Sequence, residues 1–310
     1  MKKVISLFLV CICLCNCFCL FASADDTAGK CGVNLNWEYD ENTFTLSISG
    51  TGDMNNYENS SDGNIDDSKT TAPWNSYSEK IKKVVIGDGV KSIGEYAFYN
   101  CKTINQINIP DSVISIGSAA FGKCNSLKSI SLPNSLTRIE SGLFFGCRGL
   151  NSITIPKSVN VISSFAFYMC SGLTSIDIPD SVTGVAESVF FGCIGLEKVI
   201  WSKNCNYIAP EMFYSCTSLK EIYLPAKKMD IYNRAFENCR SLTDVYFGGK
   251  NKNDVDIKDQ NEYLLNAEWH YGYSDKTDDS FLSRISDFFN DFVNAVKNFF
   301  EMIIRLFNNK

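Results

Sequence analysis

One histidine, His270, serves a chain of 310 residues. No second histidine exists to complete a His-Glu zinc motif, and no cysteine or serine near His270 sits in a recognisable nucleophile setting. A glycine-rich phosphate loop is missing as well. Positive charge is also short: 29 basic residues stand against 35 acidic ones. With no basic block anywhere, nucleic acid is not expected as a partner. Carboxylates are plentiful but scattered, and no pair has a spacing that selects a glycosidase site. Beyond the first 24 residues there is no uninterrupted apolar run of about 18 residues, the length a membrane span needs. These absences point away from an enzyme and imply no cofactor and no bound metal.

The first residues set the compartment. Lys2 and Lys3 precede an apolar stretch from Val4 to Phe21, and Ala22-Ser23-Ala24 offers small residues before Asp25. This is the layout of a cleaved secretory signal peptide over residues 1–24, and it predicts a secreted or cell-surface protein. Cys11, Cys13, Cys15, Cys17 and Cys19 lie inside it and would leave with it. Without Lys2 and Lys3 the balance is 27 basic to 35 acidic residues, a formal charge of −8.

Periodicity is what the chain has in abundance. Cys101, Cys124, Cys147, Cys170, Cys193, Cys216 and Cys239 stand 23 residues apart. Phe98, Phe121, Phe144, Phe167, Phe190, Phe213 and Phe236 lie three residues before them, and Ile104, Leu127, Leu150, Leu173, Leu196, Leu219 and Leu242 three residues after. A register this strict predicts a solenoid of stacked coils over residues 80–247. Within one coil, Leu127-x-x-Ile130-x-Leu132 alternates with period two and predicts a strand, so stacked copies make a parallel sheet. Pro133 ends that strand, as do Pro110, Pro156, Pro179 and Pro225 in other coils. A second arm follows, with Val113 and Ile116, Leu136 and Ile139, Val159 and Ile162, Val182 and Val185. Its three-residue spacing predicts a short strand. Lys228 is expected to break this arm in a late coil. The Ala97-Phe98 and Ala120-Phe121 segments read as single helical or 3₁₀ turns, with stacked rings filling the bend between arms.

Nine cysteines remain after residue 24. Seven sit among apolar ladder positions, where a free thiol behaves as a small buried hydrophobe. Cys205 takes the place held by Val113 and Leu136 in other coils. Neighbouring coils about 4.8 Å apart would allow pairing, yet a continuous ladder cannot pair every rung. A zinc array would need ligands converging on a point, and these are spread along a line.

Residues 25–79 read as an N-terminal β cap and polar loop. Leu35-Asn36-Trp37-Glu38-Tyr39 and Phe44-Thr45-Leu46-Ser47-Ile48 flank a polar turn and predict a hairpin. Met54 to Ala72 is a polar loop closing at Pro73-Trp74. Asp53, Asp62, Asp66 and Asp67, in and beside it, lack the spacing of a calcium loop. Residues 248–272 read as a closing unit, and 273–279 as a linker.

The tail, residues 280–310, follows a helical period. Phe281, Ile285, Phe288, Phe289, Phe292, Val296, Phe299, Phe300, Ile303 and Phe307 fall on one face. Arg284, Asp287, Asp291, Lys297, Glu301 and Arg305 occupy the other, so an amphipathic helix about 45 Å long is predicted. Its apolar face suits membrane or partner-helix contact: it could lie in a membrane interface, self-associate, or fold back on the solenoid as a cap.

The coil motif Leu127-x-x-Ile130-x-Leu132-Pro133 with Leu136-x-x-Ile139 resembles that of bacterial BspA-like leucine-rich-repeat proteins. The opening Cys31-Gly32-x-Asn34-Leu35-x-Trp37 and the closing Leu264-Leu265-Asn266-Ala267-x-Trp269-His270-Tyr271 are similar to the units that bracket such repeats. The resemblance implies a β-rich leucine-rich-repeat solenoid of about seven to eight 23-residue coils, with an N-terminal β-hairpin cap and a C-terminal amphipathic helix. It also implies adhesion or protein binding at the cell surface, with no catalytic residues. Inside the closing unit, His270 is expected to be a packing or capping residue.

Repeat proteins bind through variable outward positions on a regular sheet. In the early coils these are small and polar: Gln106/Asn108, Ser129/Ser131, Ser152/Thr154 and Ser175/Asp177. Later they become Lys198/Ile200, Glu221/Tyr223 and Asp244/Tyr246. Aromatics rimmed by charge compose many binding hot spots. These six residues are therefore the expected contact for a protein or glycan on a host or neighbouring cell, unless the tail or closing unit covers them. The competing reading is a structural, self-associating envelope component held by its tail.

Overall fold

The computed structural model describes residues 26–60 and 69–273. The leader, the linker from residue 274, the tail, and Asp62, Asp66 and Asp67 lie outside the described residues. Among those described, no helix is long and apolar enough to cross a membrane.

The repeat builds a parallel β solenoid. Its front arm carries two five-stranded sheets. The first runs through Ala28–Lys30, Leu35–Asp40, Thr45–Gly50, Lys83–Ile86 and Gln106–Asn108. The second runs through Ser175–Asp177, Lys198–Ile200, Glu221–Leu224, Asp244–Phe247 and Glu268–Tyr271. Between them, the strands expected at Ser129–Ser131 and Ser152–Thr154 do not form. On the front arm those coils are tied at their entry, by Ser126 N–H to the Lys102 carbonyl (3.0 Å), Asn151 N–H to the Lys128 carbonyl (2.9 Å) and Thr174 N–H to the Asn151 carbonyl (3.3 Å). Their outward side chains are serines and one threonine, which give little of the cross-strand packing that supports a ladder.

The second arm is made of short strands, as its spacing predicts: Ser115–Ile116, Arg138–Ile139, Val161–Ile162, Gly184–Val185 and Tyr207–Ile208 among them. Lys228 does not break it. Met229–Ile231 continues the arm and pairs with both Tyr207–Ile208 and Val255–Ile257. Met229 and Ile231 are buried there while Lys228 points outward. The turns at Pro110, Pro133, Pro156 and Pro179 close by a bond from three residues on, such as Leu136 N–H to the Pro133 carbonyl (3.2 Å).

The N-terminal hairpin forms in the register Leu35↔Gly50 to Asp40↔Thr45. Leu35, Trp37, Tyr39, Leu46 and Ile48 are buried, so the alternation puts one face on the core. Thr45–Ile48 then pairs in parallel with Lys83–Ile86, which makes the cap continuous with the solenoid.

Seven phenylalanines from Phe98 to Phe236 form one buried column, with neighbouring centroids 5.2–6.0 Å apart. The segment carrying them is not a helical turn. Each coil has two residues four apart in the left-handed region, such as Tyr96 (φ 53°) and Asn100 (φ 62°), or Phe165 (φ 60°) and Met169 (φ 57°). Only three of these sites are glycine, namely Gly142, Gly146 and Gly192. The reversals turn the phenylalanine N–H toward the next coil: Phe98 to Ala120 O (2.8 Å), Phe144 to Ala166 O (2.8 Å), Phe213 to Ala235 O (2.8 Å). At the first coil the Ala97 carbonyl accepts from Trp74 Nε1 (2.7 Å). At the last coil Phe236 N–H donates to Asn261 Oδ1 (2.9 Å).

The cysteines have a specific reason for their register. From Cys124 to Cys239, each thiol donates to the carbonyl of the phenylalanine 26 residues earlier, at 3.0–3.2 Å. The ladder thus supplies a weak donor to an inward backbone acceptor, which alanine or valine cannot do. All nine described cysteines, Cys205 included, are free and buried. Burial pushes the thiols of Cys101, Cys147, Cys193 and Cys239 up to about 12.

Candidate functional site: an aromatic and acidic column on the front sheet

In-register pairing of the second front sheet sets two rows of outward side chains. Lys198, Glu221, Asp244 and Glu268 form one row, and Ile200, Tyr223, Tyr246 and His270 the other. The six residues expected from the sequence are therefore brought together, and the structure adds Glu268 and His270. His270 does pack, but on the outward face: its ring lies 4.5 Å from Tyr246, at 16° to it. Tyr223 and Tyr246 stack at 4.5 Å and 7°.

Polar contacts fix the rings. Lys198 Nζ lies 2.8 Å from Glu221 and 4.3 Å from the centre of the Tyr223 ring. The Tyr223 hydroxyl donates to Glu221 Oε2 at 3.0 Å. His270 Nε2 sits 2.9 Å from Asp244 Oδ1, and Thr243 Oγ1 donates to Asp244 Oδ2 at 2.8 Å. The His270 hydrogen bond, then that of Thr243, holds the Asp244 carboxyl below its usual value of 3.8.

The column is only half open. All six expected residues are half-buried, and the stacked rings cover one another's faces. Tyr273 also crosses edge-on, 5.3 Å from Tyr223 and 6.2 Å from Tyr246. The chain leaving the closing unit thus covers part of the column. Ligand atoms of Asp244, Glu268 and His270 lie within 4.8 Å of one another. One imidazole and two carboxylates are a donor set that suits a divalent cation.

Sequence reasoning missed a second surface. Phe145, Tyr168, Phe191 and Tyr214 stack outside the buried column at 5.2, 4.8 and 4.6 Å, and the Arg234 guanidinium lies 4.9 Å from the Tyr214 ring. Phe165 stands exposed and edge-on to Tyr168 at 5.7 Å, and Met169 is exposed next to Tyr168 in the chain. The signal was a run of four aromatics one position after the regular phenylalanine. Beside it, Phe165, Glu187, Glu211, Tyr232 and Arg234 line a shallow cavity of about 490 Å³.

Stacked coils joined by parallel ladders and sealed at the N-terminal end define a β-solenoid repeat protein, a fold that works by displaying a surface. The chain belongs to the BspA type leucine rich repeat family, whose model matches residues 75–171 and 139–256. Repeat folds of this kind are in general non-catalytic and bind through an exposed sheet.

Similar solved structures include a leucine rich repeat protein of T. pallidum, 22% identical over 66% of this chain and 86% of that one, with a TM-score of 0.40. A leucine rich cell surface protein from Faecalibacterium prausnitzii A2-165 is 17% identical, over 82% of this chain and 97% of that one, with a TM-score of 0.28. The pneumococcal vaccine antigen PcpA is 13% identical, over 62% of this chain and 68% of that one, with a TM-score of 0.37. No curated protein matches the chain.

Proposed function

We propose that the chain is a secreted or cell-surface binding protein, non-catalytic, which uses the front-sheet column to contact a protein or glycan on a host or neighbouring cell. The observation that carries this reading is the stack Tyr223–Tyr246–His270 lying beside the row Glu221, Asp244 and Glu268. In the four coils before it the outward pairs Gln106/Asn108, Ser129/Ser131, Ser152/Thr154 and Ser175/Asp177 carry no aromatic ring, which gives a partner little to grip. Aromatic edges next to carboxylates suit a partner that brings positive charge or hydroxyl donors. Export rests on the leader pattern of residues 1–24.

The test is binding of residues 25–310, wild type and Tyr223→Ala/Tyr246→Ala, to glycan arrays and arrays of cell-surface proteins. A saturable partner that the double variant binds at least tenfold more weakly, with its melting curve retained, supports the proposal. Equal affinity in the two forms sinks it. Absence of any saturable partner would favour the structural, self-associating reading.

A further inference from the structure

We propose that residues 280–309 fold back and seat their first apolar turns, led by Phe281, Ile285 and Phe288, in a cleft at the C-terminal end of the solenoid. That segment lies outside the described residues; the cleft does not.

The two ends of the stack are finished differently. At the N-terminal end Leu35, Trp37, Tyr39 and Trp74 are at most 3% exposed under the hairpin. At the C-terminal end the strands Val255–Ile257 and Glu268–Tyr271 are, among the described residues, the last of their ladders and stand as sheet edges. Between them lies an apolar cleft of about 270 Å³, lined by Val255, Ile257, Leu265, Ala267, Trp269 and Tyr271, with Lys252 at its rim. Leu265 is 49% exposed and Tyr271 41%. An open core end and two bare edges are features that natural sheet proteins cover, often with a helix.

Chain length and chemistry name the occupant. Tyr271 lines the cleft, and the last described residue, Tyr273, packs on the front face two residues further on, so the continuing chain starts close to the rim. The seven residues from 274 to 280 reach about 25 Å when extended, enough to bring Phe281 back over Leu265. A face with seven phenylalanines matches the aromatic and aliphatic lining.

The rival occupants fit less well. The polar face of the tail has three basic and three acidic residues, without the basic excess that draws a helix to anionic lipid. A second copy stacking head to tail would have to present a matching apolar end. Its N-terminal end is sealed, and its edge strand Ala28–Lys30 is short, exposed and carries a lysine.

Hydrogen exchange on residues 25–310 decides the matter, comparing wild type with Leu265→Asp and with Phe281→Ser/Ile285→Ser/Phe288→Ser. The tail variant leaves the solenoid sequence intact, so it stays informative if Leu265→Asp fails to fold. The expected result is amides of 255–257 and 268–271 exchanging at least tenfold faster in the variants, with a monomeric mass throughout. Equal exchange in wild type and tail variant overturns the proposal. So does protection that appears only with phosphatidylglycerol vesicles, or only as the mass rises with concentration.

Discussion

Trp74 and Asn261 close the two ends of one backbone ladder. In the coils between them, the phenylalanine N–H of one coil reaches a carbonyl of the next; Trp74 Nε1 supplies the missing donor at the start, and Asn261 Oδ1 the missing acceptor at the end. Asn261 is 1% exposed, and its Nδ2 also reaches the Tyr232 and Lys258 carbonyls at 3.0 and 2.9 Å. Removing either cap strands a buried backbone group, which costs about 1–3 kcal/mol. Trp74→Phe and Asn261→Ala should each lower urea stability by that amount. Their effects should add, because they sit at opposite ends. Exchange protection should fall first at the end that was altered; uniform loss along the stack would show that the caps do not act locally.

Phe167 and Phe165 are two residues apart and should behave oppositely. Phe167 is fully buried between Phe144 and Phe190 in the ring column. Truncation to alanine should cost about 3–5 kcal/mol. Phe165 is 39% exposed with φ 60°, a conformation that costs a bulky side chain about 1 kcal/mol. Phe165→Gly should therefore be neutral or stabilising in urea unfolding, and a loss above about 2 kcal/mol would refute the strain argument. A residue kept against both backbone preference and burial belongs to the surface it forms with Tyr168 and Met169.

The 23-residue period exposed the stack, the cysteine column and the outward rows, because each coil repeats one packing problem, while alternation around a polar turn exposed the hairpin. What occurs once was harder to read. Asn261 falls outside the period, so nothing marked it as a cap. The left-handed sites escaped because glycine fills only three of them, Gly142, Gly146 and Gly192, and the solenoid holds other residue types where a free chain would not. His270 read as a packing residue, and only the parallel pairing Tyr246↔His270 places it outward beside Asp244.

The thiol ladder should be silent to a thiol reagent and sensitive to alkali. Burial raises the thiols, with four at about 12, above their ordinary value of 9.0. A group raised in the folded state contributes stability that is intact below its unfolded pKa and lost as pH climbs toward the folded one. Stability should therefore hold to about pH 9 and fall steadily above it. Native protein at pH 8 should give almost no fast reaction with an aromatic disulfide reagent, and unfolded protein should react at all nine described cysteines. Fast reaction of several thiols in the native state would contradict the buried ladder.

Asp244 and His270 give the column its own titration signature. The His270 hydrogen bond is the largest influence lowering the Asp244 carboxyl, with Thr243 second. A depressed carboxyl keeps its favourable contact above its unfolded pKa and loses it as pH falls through the folded value. The Tyr246–His270 stack should therefore remain in place at pH 5 and loosen only below the usual carboxylate range. Carboxyl carbon NMR should show Asp244 titrating below 3.8 in wild type. In His270→Ala it should move up toward that value, and Thr243→Val should move it less. If His270→Ala leaves it in place, the ring and the carboxylate are not joined in solution, and the acidic row must be read as independent side chains beside the tyrosine stack.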